Sequence, residues 1–156
     1  MLQKTHLHYR NLPLLLLQAR EALMQHWRPT LREHGLSDQQ WRVLRVLREQ
    51  SDGLETGRLA EQAFILGPSL TGILARMQRA GLVTRERSGE DARRSVVRAT
   101  RQGRALADAL SGSIAAQYED LAQHLGAEPL QQLYRLLDGL LALPAHAVEL
   151  QKSVEE

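Results

Sequence analysis

Between Arg76 and Arg104 the chain carries nine arginines against three acids, Glu86, Glu90 and Asp91, although the 156-residue sequence as a whole has a formal charge of only +2. Outside this window acids outnumber Lys and Arg, so the charge is sorted, as a surface facing a polyanion requires. The order of segments inside the window narrows the fold. A helical stretch ends at Ala80-Gly81, then Leu82-Val83-Thr84-Arg85-Glu86-Arg87 has strand character. Ser88-Gly89-Glu90-Asp91-Ala92-Arg93-Arg94 is a polar turn, and Ser95-Val96-Val97-Arg98 returns as a second strand. Helix, strand, charged turn, strand predicts a winged helix. Such a helix can enter a major groove while arginines of the wing reach phosphates or a minor groove. Double-stranded DNA is therefore the first partner expected.

Leucine and alanine dominate and aromatics are few, with two Trp, three Tyr and one Phe, which predicts a mainly α protein with short strands. The length suits one domain with appendages. With no cysteine, disulfides, thiolate metal sites and thiol redox sensing are excluded. The early apolar run Leu14-Leu15-Leu16-Leu17 is far too short to span a bilayer, and no signal-peptide pattern precedes it. A cytoplasmic protein without membrane contact is expected.

Helical periodicity organises the rest. Leu16, Leu23, Met24, Trp27 and Leu31 define a first helix from Pro13 to about His34, with Pro29 as a kink or early break. Ser37-Asp38-Gln39-Gln40 has the form of a capping box ahead of Trp41, Leu44 and Leu47, so a second helix runs to about Gln50. Thr56 is the expected cap of a short third helix with Leu59, Ala60 and Ala63. Gly67-Pro68 opens a fourth, whose stripe Leu70, Ile73, Leu74 and Met77 should be buried. That leaves Pro68, Ser69, Thr71, Gly72, Arg76 and Arg79 as the DNA-reading candidates. Thr100 caps a long helix carrying Leu106, Leu110, Ile114, Tyr118, Leu121 and Leu125. It breaks at Gly126 and restarts near Pro129 with Leu130, Leu133, Leu137, Leu140 and Leu141. The terminal helices hold more leucine than a winged helix needs, which predicts a homodimer.

Several residues suit an effector. His8-Tyr9-Arg10 sets an imidazole, a phenol and a cation ahead of the first helix, apt for a small aromatic carboxylate. Trp27 and Trp41 occupy core positions that could also wall an aromatic ring. His6, His8, His26 and His34 read as polar surface, so no metal is expected. No phosphate-cradling loop or Ser, His and Asp set with supporting context appears; neither an enzyme nor a cofactor is predicted. The remaining alternative is a winged-helix protein-interaction module without sequence-specific DNA binding.

Leu59-Ala60, Leu70-Thr71, Gly81-Leu82-Val83 leading to Arg85, Asp91-Ala92-Arg93-Arg94 and Thr100-x-x-Gly103, in this order, resemble the MarR (multiple antibiotic resistance regulator) family over roughly residues 12–143. Ala99 departs from it, standing where a leucine is usual. Segments such as Leu16-Leu17-Gln18-Ala19-Arg20-Glu21-Ala22 and Ile65-Leu66-Gly67-Pro68-Ser69-Leu70-Thr71 are similar to the branch regulating homoprotocatechuate and related aromatic-acid catabolism. The resemblance implies that Asp91 holds Arg93 for a narrow minor groove, with Arg94 on a phosphate. It also implies an effector pocket near Arg20 and Arg45, where a half-buried arginine would need an anion, either an internal carboxylate or a ligand. The resulting expectation is mainly α with a small β-hairpin, a winged helix-turn-helix with a helical dimerisation region. Residues 1–35 form an N-terminal arm and dimerisation helix, 36–100 the DNA-binding domain, and 101–156 the C-terminal dimerisation helices and tail. It implies a repressor released from a pseudo-palindromic operator by a phenolic or hydroxylated pyridine carboxylate.

Overall fold

Local sequence signals account for most element boundaries in the computed structural model, which describes residues 10–87 and 95–144. The elements run α1 (Leu12–Glu33), α2 (Asp38–Arg48), β1 (Leu54–Glu55), α3 (Thr56–Ala63), α4 (Gly67–Arg79), β2 (Val83–Arg87), β3 (Ser95–Ala99), α5 (Arg101–Leu125) and α6 (Ala127–Leu141). The chain divides into two compact units, Met1–Gln117 and Tyr118–Glu156.

In the first unit α2 is the best-specified helix. Ser37 Oγ accepts from the Gln40 amide at 3.2 Å and Gln40 Oε1 accepts from the Ser37 amide at 2.9 Å, closing the capping box. α2 buries Trp41, Val43, Leu44 and Leu47 and packs on α1, α3, α4 and β3. α1 begins one residue before Pro13 because Asn11 caps it, its Oδ1 accepting from the Leu14 amide at 3.1 Å. Pro29 does not end the helix, which continues to Glu33. A proline deletes one intrahelical hydrogen bond, and Met24 and Leu31, buried on either side of it, hold the helix through the gap.

Two further expectations change. Glu55 occupies the cap position of α3, its side chain making no capping hydrogen bond to the helix, and Thr56 is its first residue. The Thr56 hydroxyl instead donates to the Ser95 carbonyl at 3.0 Å. The hairpin also gains a third strand, since β1 pairs antiparallel with β3 through Leu54↔Val97 and Glu55↔Val96, giving the order β1-β3-β2. β2 and β3 pair from Val83↔Ala99 to Arg87↔Ser95, and Ala99, the departure from the family pattern, is buried.

Thr100 is the cap foreseen for α5: its Oγ1 accepts from the Gly103 amide at 3.0 Å and donates to the Gly81 carbonyl at 2.7 Å. The same motif explains Gly103, since a Cβ there would lie 2.1 Å from the Leu82 carbonyl oxygen. In the second unit Gly126, at φ 94°, separates the end of α5 from α6. Leu130 is buried, whereas Leu133, Tyr134, Leu136, Leu140 and Leu141 are exposed.

Gly103→Ala is expected to destabilise the protein by about 1–3 kcal/mol, because backbone must move to admit the methyl group. Chemical denaturation checks this; an unchanged midpoint would show that α5 is not seated on Leu82 as described.

Candidate nucleic-acid interface

α4 sorts its side chains by position on the helical turn. Leu70, Ile73, Leu74 and Met77 are almost fully buried and seat the helix on α2, α3 and β2. Pro68, Ser69, Thr71, Gly72, Arg76 and Arg79 are all exposed. The bare backbone at Gly72 leaves room for Arg76, whose Nη1 lies 3.7 Å from where a Cβ would stand. This face is small, polar and basic, the composition that a major groove accepts.

The wing stem is basic but its arginines differ in role. Arg85 Nε donates to Ser95 Oγ at 2.8 Å and Arg98 Nη1 to Glu86 Oε2 at 2.8 Å, so both are engaged within the sheet. Arg76, Arg79 and Arg87 make no ion pair with another described residue. Ser95 is buried and its hydroxyl lies 2.7 Å from Thr56 Oγ1. Because Thr56 donates to the Ser95 carbonyl, Ser95 Oγ donates to Thr56 and accepts from Arg85. Asp91, Arg93 and Arg94 belong to residues 88–94, outside the described residues.

The effector candidates are less closely grouped. His8 and Tyr9 lie outside the described residues; Arg10 is exposed. Arg20 is about half exposed, and its Nη2 donates to Asp38 Oδ2 at 2.7 Å. Of the two anion sources its position implied, the internal carboxylate is present. Arg45 is exposed rather than half-buried, because α2 turns Trp41, Val43, Leu44 and Leu47 to the core. It borders a hollow of about 350 Å³ shared with Arg42, Glu49, Gln62 and Phe64. A second hollow, about 450 Å³, has Arg28, Arg32 and Asp38 at its polar edge. Neither is lined by Arg20, Trp27 or Trp41; Trp41 is buried and Trp27 half-buried.

Sequence reading missed Asp38 and Arg42 as a pair. Arg42 Nη2 lies 3.6 Å from Asp38 Oδ2, and the i,i+4 spacing was the available signal. It also missed the fork of Arg28 onto Glu21. The hydrogen bond from Arg28 holds the Glu21 carboxyl below its ordinary range against a weaker opposing effect of burial, and the same bond raises Arg28. Among the described residues no group of His, Asp and Glu is placed to hold a metal ion, and no helix is long and apolar enough to cross a membrane.

Residues 34–94 match the MarR family. The chain is 43% identical over 133 residues to the homoprotocatechuate degradative operon repressor of Escherichia coli, an alignment covering 85% of this chain and 89% of that protein. It is 43% identical over 122 residues to the HTH-type transcriptional regulator FarR of Neisseria gonorrhoeae, covering 78% and 83% respectively. The crystal structure of NadR in complex with 4-hydroxyphenylacetate superposes with a TM-score of 0.74 at 39% identity, covering 88% of this chain and 96% of NadR. Fold and relatives together define a winged helix-turn-helix transcriptional regulator, not an enzyme. The chain belongs to the MarR family and resembles the homoprotocatechuate operon repressor in particular.

Ser95→Ala leaves the Arg85 guanidinium and the Thr56 hydroxyl each short of one partner, an expected loss of about 1–3 kcal/mol. Amide exchange should rise in β1 and β3 while α2 stays protected. Uniform exchange across the unit would contradict the local role given to this contact.

Proposed function

We propose that this protein is a homodimeric, cytoplasmic repressor that binds a pseudo-palindromic operator through α4 and the wing and releases it when a small aromatic acid binds. The observation that carries this reading is the division of α4. Four apolar side chains fix the helix to its unit, and the opposite side offers Ser69, Thr71, Arg76 and Arg79 on open backbone at Gly72. Recognition helices contact base edges from such a face, and a two-fold dimer sets them in successive major grooves about 34 Å apart.

Dimerisation is supported by the leucines left in solvent: Leu12, Leu14, Leu16 and Leu17 at the start of α1, and Leu133, Leu136, Leu140 and Leu141 on α6. Apolar surface at both ends of a chain is what a second copy would cover.

The effector class is supported by the relatives. The E. coli relative carries homoprotocatechuate in its name, and NadR crystallises with 4-hydroxyphenylacetate. For this chain the corresponding ligand is a planar phenolic or hydroxylated pyridine carboxylate. Its carboxylate would compete with Asp38 for Arg20, with Arg45 and the His8-Tyr9-Arg10 arm as further polar contacts and Trp27 or Trp41 beside the ring. Release then requires that the ligand favour, by a few kcal/mol, a dimer whose helix spacing misses the grooves.

Arg93→Ala should weaken operator binding by roughly 1–3 kcal/mol in a folded dimer, with unchanged affinity at matched salt counting against the wing. Arg94→Ala should weaken all duplexes alike and lower the salt slope by about one unit; altered sequence preference would contradict a phosphate contact. The wild-type chain should sediment as a dimer at micromolar concentration, and a monomer would remove both dimer and palindrome. Arg20→Ala should raise the 4-hydroxyphenylacetate concentration needed for release about tenfold, while ligand-free operator affinity stays near wild type. An unchanged dose-response would take Arg20 out of the pocket.

A further inference from the structure

The helix-turn-helix hinges on a residue of unusual conformation. Phe64, which ends α3, has φ 51° and ψ 55°, the left-handed region where glycine is usual at this position of a helix C-terminus. Among the described residues it is the one non-glycine with positive φ. Its ring gains nothing from burial, being 89% exposed. The turn closes with the Ile65 amide donating to the Ala60 carbonyl at 2.9 Å. Ile65 is buried, and α4 starts two residues later. The backbone angles at Phe64 therefore set the direction in which the DNA-reading helix leaves α3.

A side chain on α2 holds this turn. Arg42 Nη1 donates to the Ala63 carbonyl at 2.9 Å and to the Phe64 carbonyl at 2.7 Å. These are carbonyls that a helix end leaves without intrahelical partners. One turn earlier on α2, Asp38 faces the other nitrogen of the fork, Nη2, at 3.6 Å. Arg42 Nε is buried without a hydrogen bond. An unmatched buried donor is costly and is tolerated here with the fork held on the two carbonyls.

We propose that Arg42 is a positioning residue for operator recognition: it clamps the α3–α4 turn in the left-handed conformation and so fixes the angle of α4, without touching DNA. The inference rests on the reading of α4 as the DNA-reading helix. It makes two demands that a phosphate-binding arginine or a general stabilising contact would not meet. Loss of the clamp must harm specific binding selectively, because base-edge contacts need geometry whereas phosphate attraction tolerates misalignment. Glycine at position 64 must compensate, because glycine adopts positive φ without steric cost.

The experiment compares full-length wild type, Arg42→Ala, Arg42→Lys, Phe64→Gly and the double variant Arg42→Ala/Phe64→Gly. Each is titrated onto a duplex selected by the wild-type protein from a random library and onto its scrambled counterpart over a salt series. Arg42→Ala is expected to lose about tenfold or more on the selected duplex, by the strength of charged hydrogen bonds, with scrambled-duplex affinity and salt slope unchanged. Phe64→Gly alone stays near wild type, and the double variant recovers most of the loss. Arg42→Lys keeps the charge but not the fork and falls between; it serves as the test if Arg42→Ala does not fold. Equal losses on both duplexes, no recovery in the double variant, or a loss in Phe64→Gly matching that of Arg42→Ala would each overturn the clamp. Failure of the wild type to select any duplex would instead overturn the operator reading, and the clamp's role with it.

Discussion

The architecture depends on the burial of one stripe. Leu70, Ile73, Leu74 and Met77 sit in a core with Val43, Leu44, Leu47 and Leu59, all at or near zero exposure. At roughly 1.5–3 kcal/mol for each fully buried side chain of this size, that stripe outweighs any single polar contact in the unit. It fixes the rotation of α4 about its own axis, so which residues face outward follows from the helical repeat rather than from separate interactions. The exposed set, Ser69, Thr71, Gly72, Arg76 and Arg79, is thus a consequence of packing. What packing leaves open is the helix's direction, and there the Phe64 turn and the Arg42 hydrogen bonds take over.

Polar contacts have a second task in the sheet. A hairpin alone is marginal, and here the stem is tied to α3 by Thr56 and Ser95 and to β1 by backbone pairing. Arg85 and Arg98 are held within the strands. The basic strands thus combine two arginines that brace the stem with a third, Arg87, that makes no ion pair with another described residue, a distinction that charge counting alone does not make.

Elements governed by local signals were legible in the sequence. The capping box at Ser37, the α4 stripe, the Thr100 cap and the break at Gly126 each depend on residues within a turn or two of one another. Asn11 offered a local signal too, but Pro13 drew the boundary. β1 escaped because two residues carry no periodicity; only its partner β3 makes it a strand. Thr56 looked like a cap because threonine often is one, whereas its hydroxyl has a better partner 39 residues away. The Arg20–Asp38 and Arg42–Phe64 contacts join residues 18 and 22 apart, and no spacing rule reaches across a helix junction. Arg45 was placed correctly on α2 but is exposed where half-burial was expected: three apolar neighbours define a face without saying how far it extends. The wing residues Asp91, Arg93 and Arg94 rest on sequence and family resemblance, their segment lying outside the described residues.

The central claim is that two copies of α4 read one duplex at a fixed separation. Inserting half a helical turn, about five base pairs, between the half-sites of a selected operator tests it most directly, because this rotates one half-site to the opposite side of the duplex while leaving every base within each half-site intact. Measured by fluorescence anisotropy, affinity should fall towards that for a scrambled duplex, and a full-turn insertion should not restore it fully because the dimer fixes the spacing. Affinity unchanged by the half-turn insertion would contradict paired recognition and with it the dimeric operator-binding account.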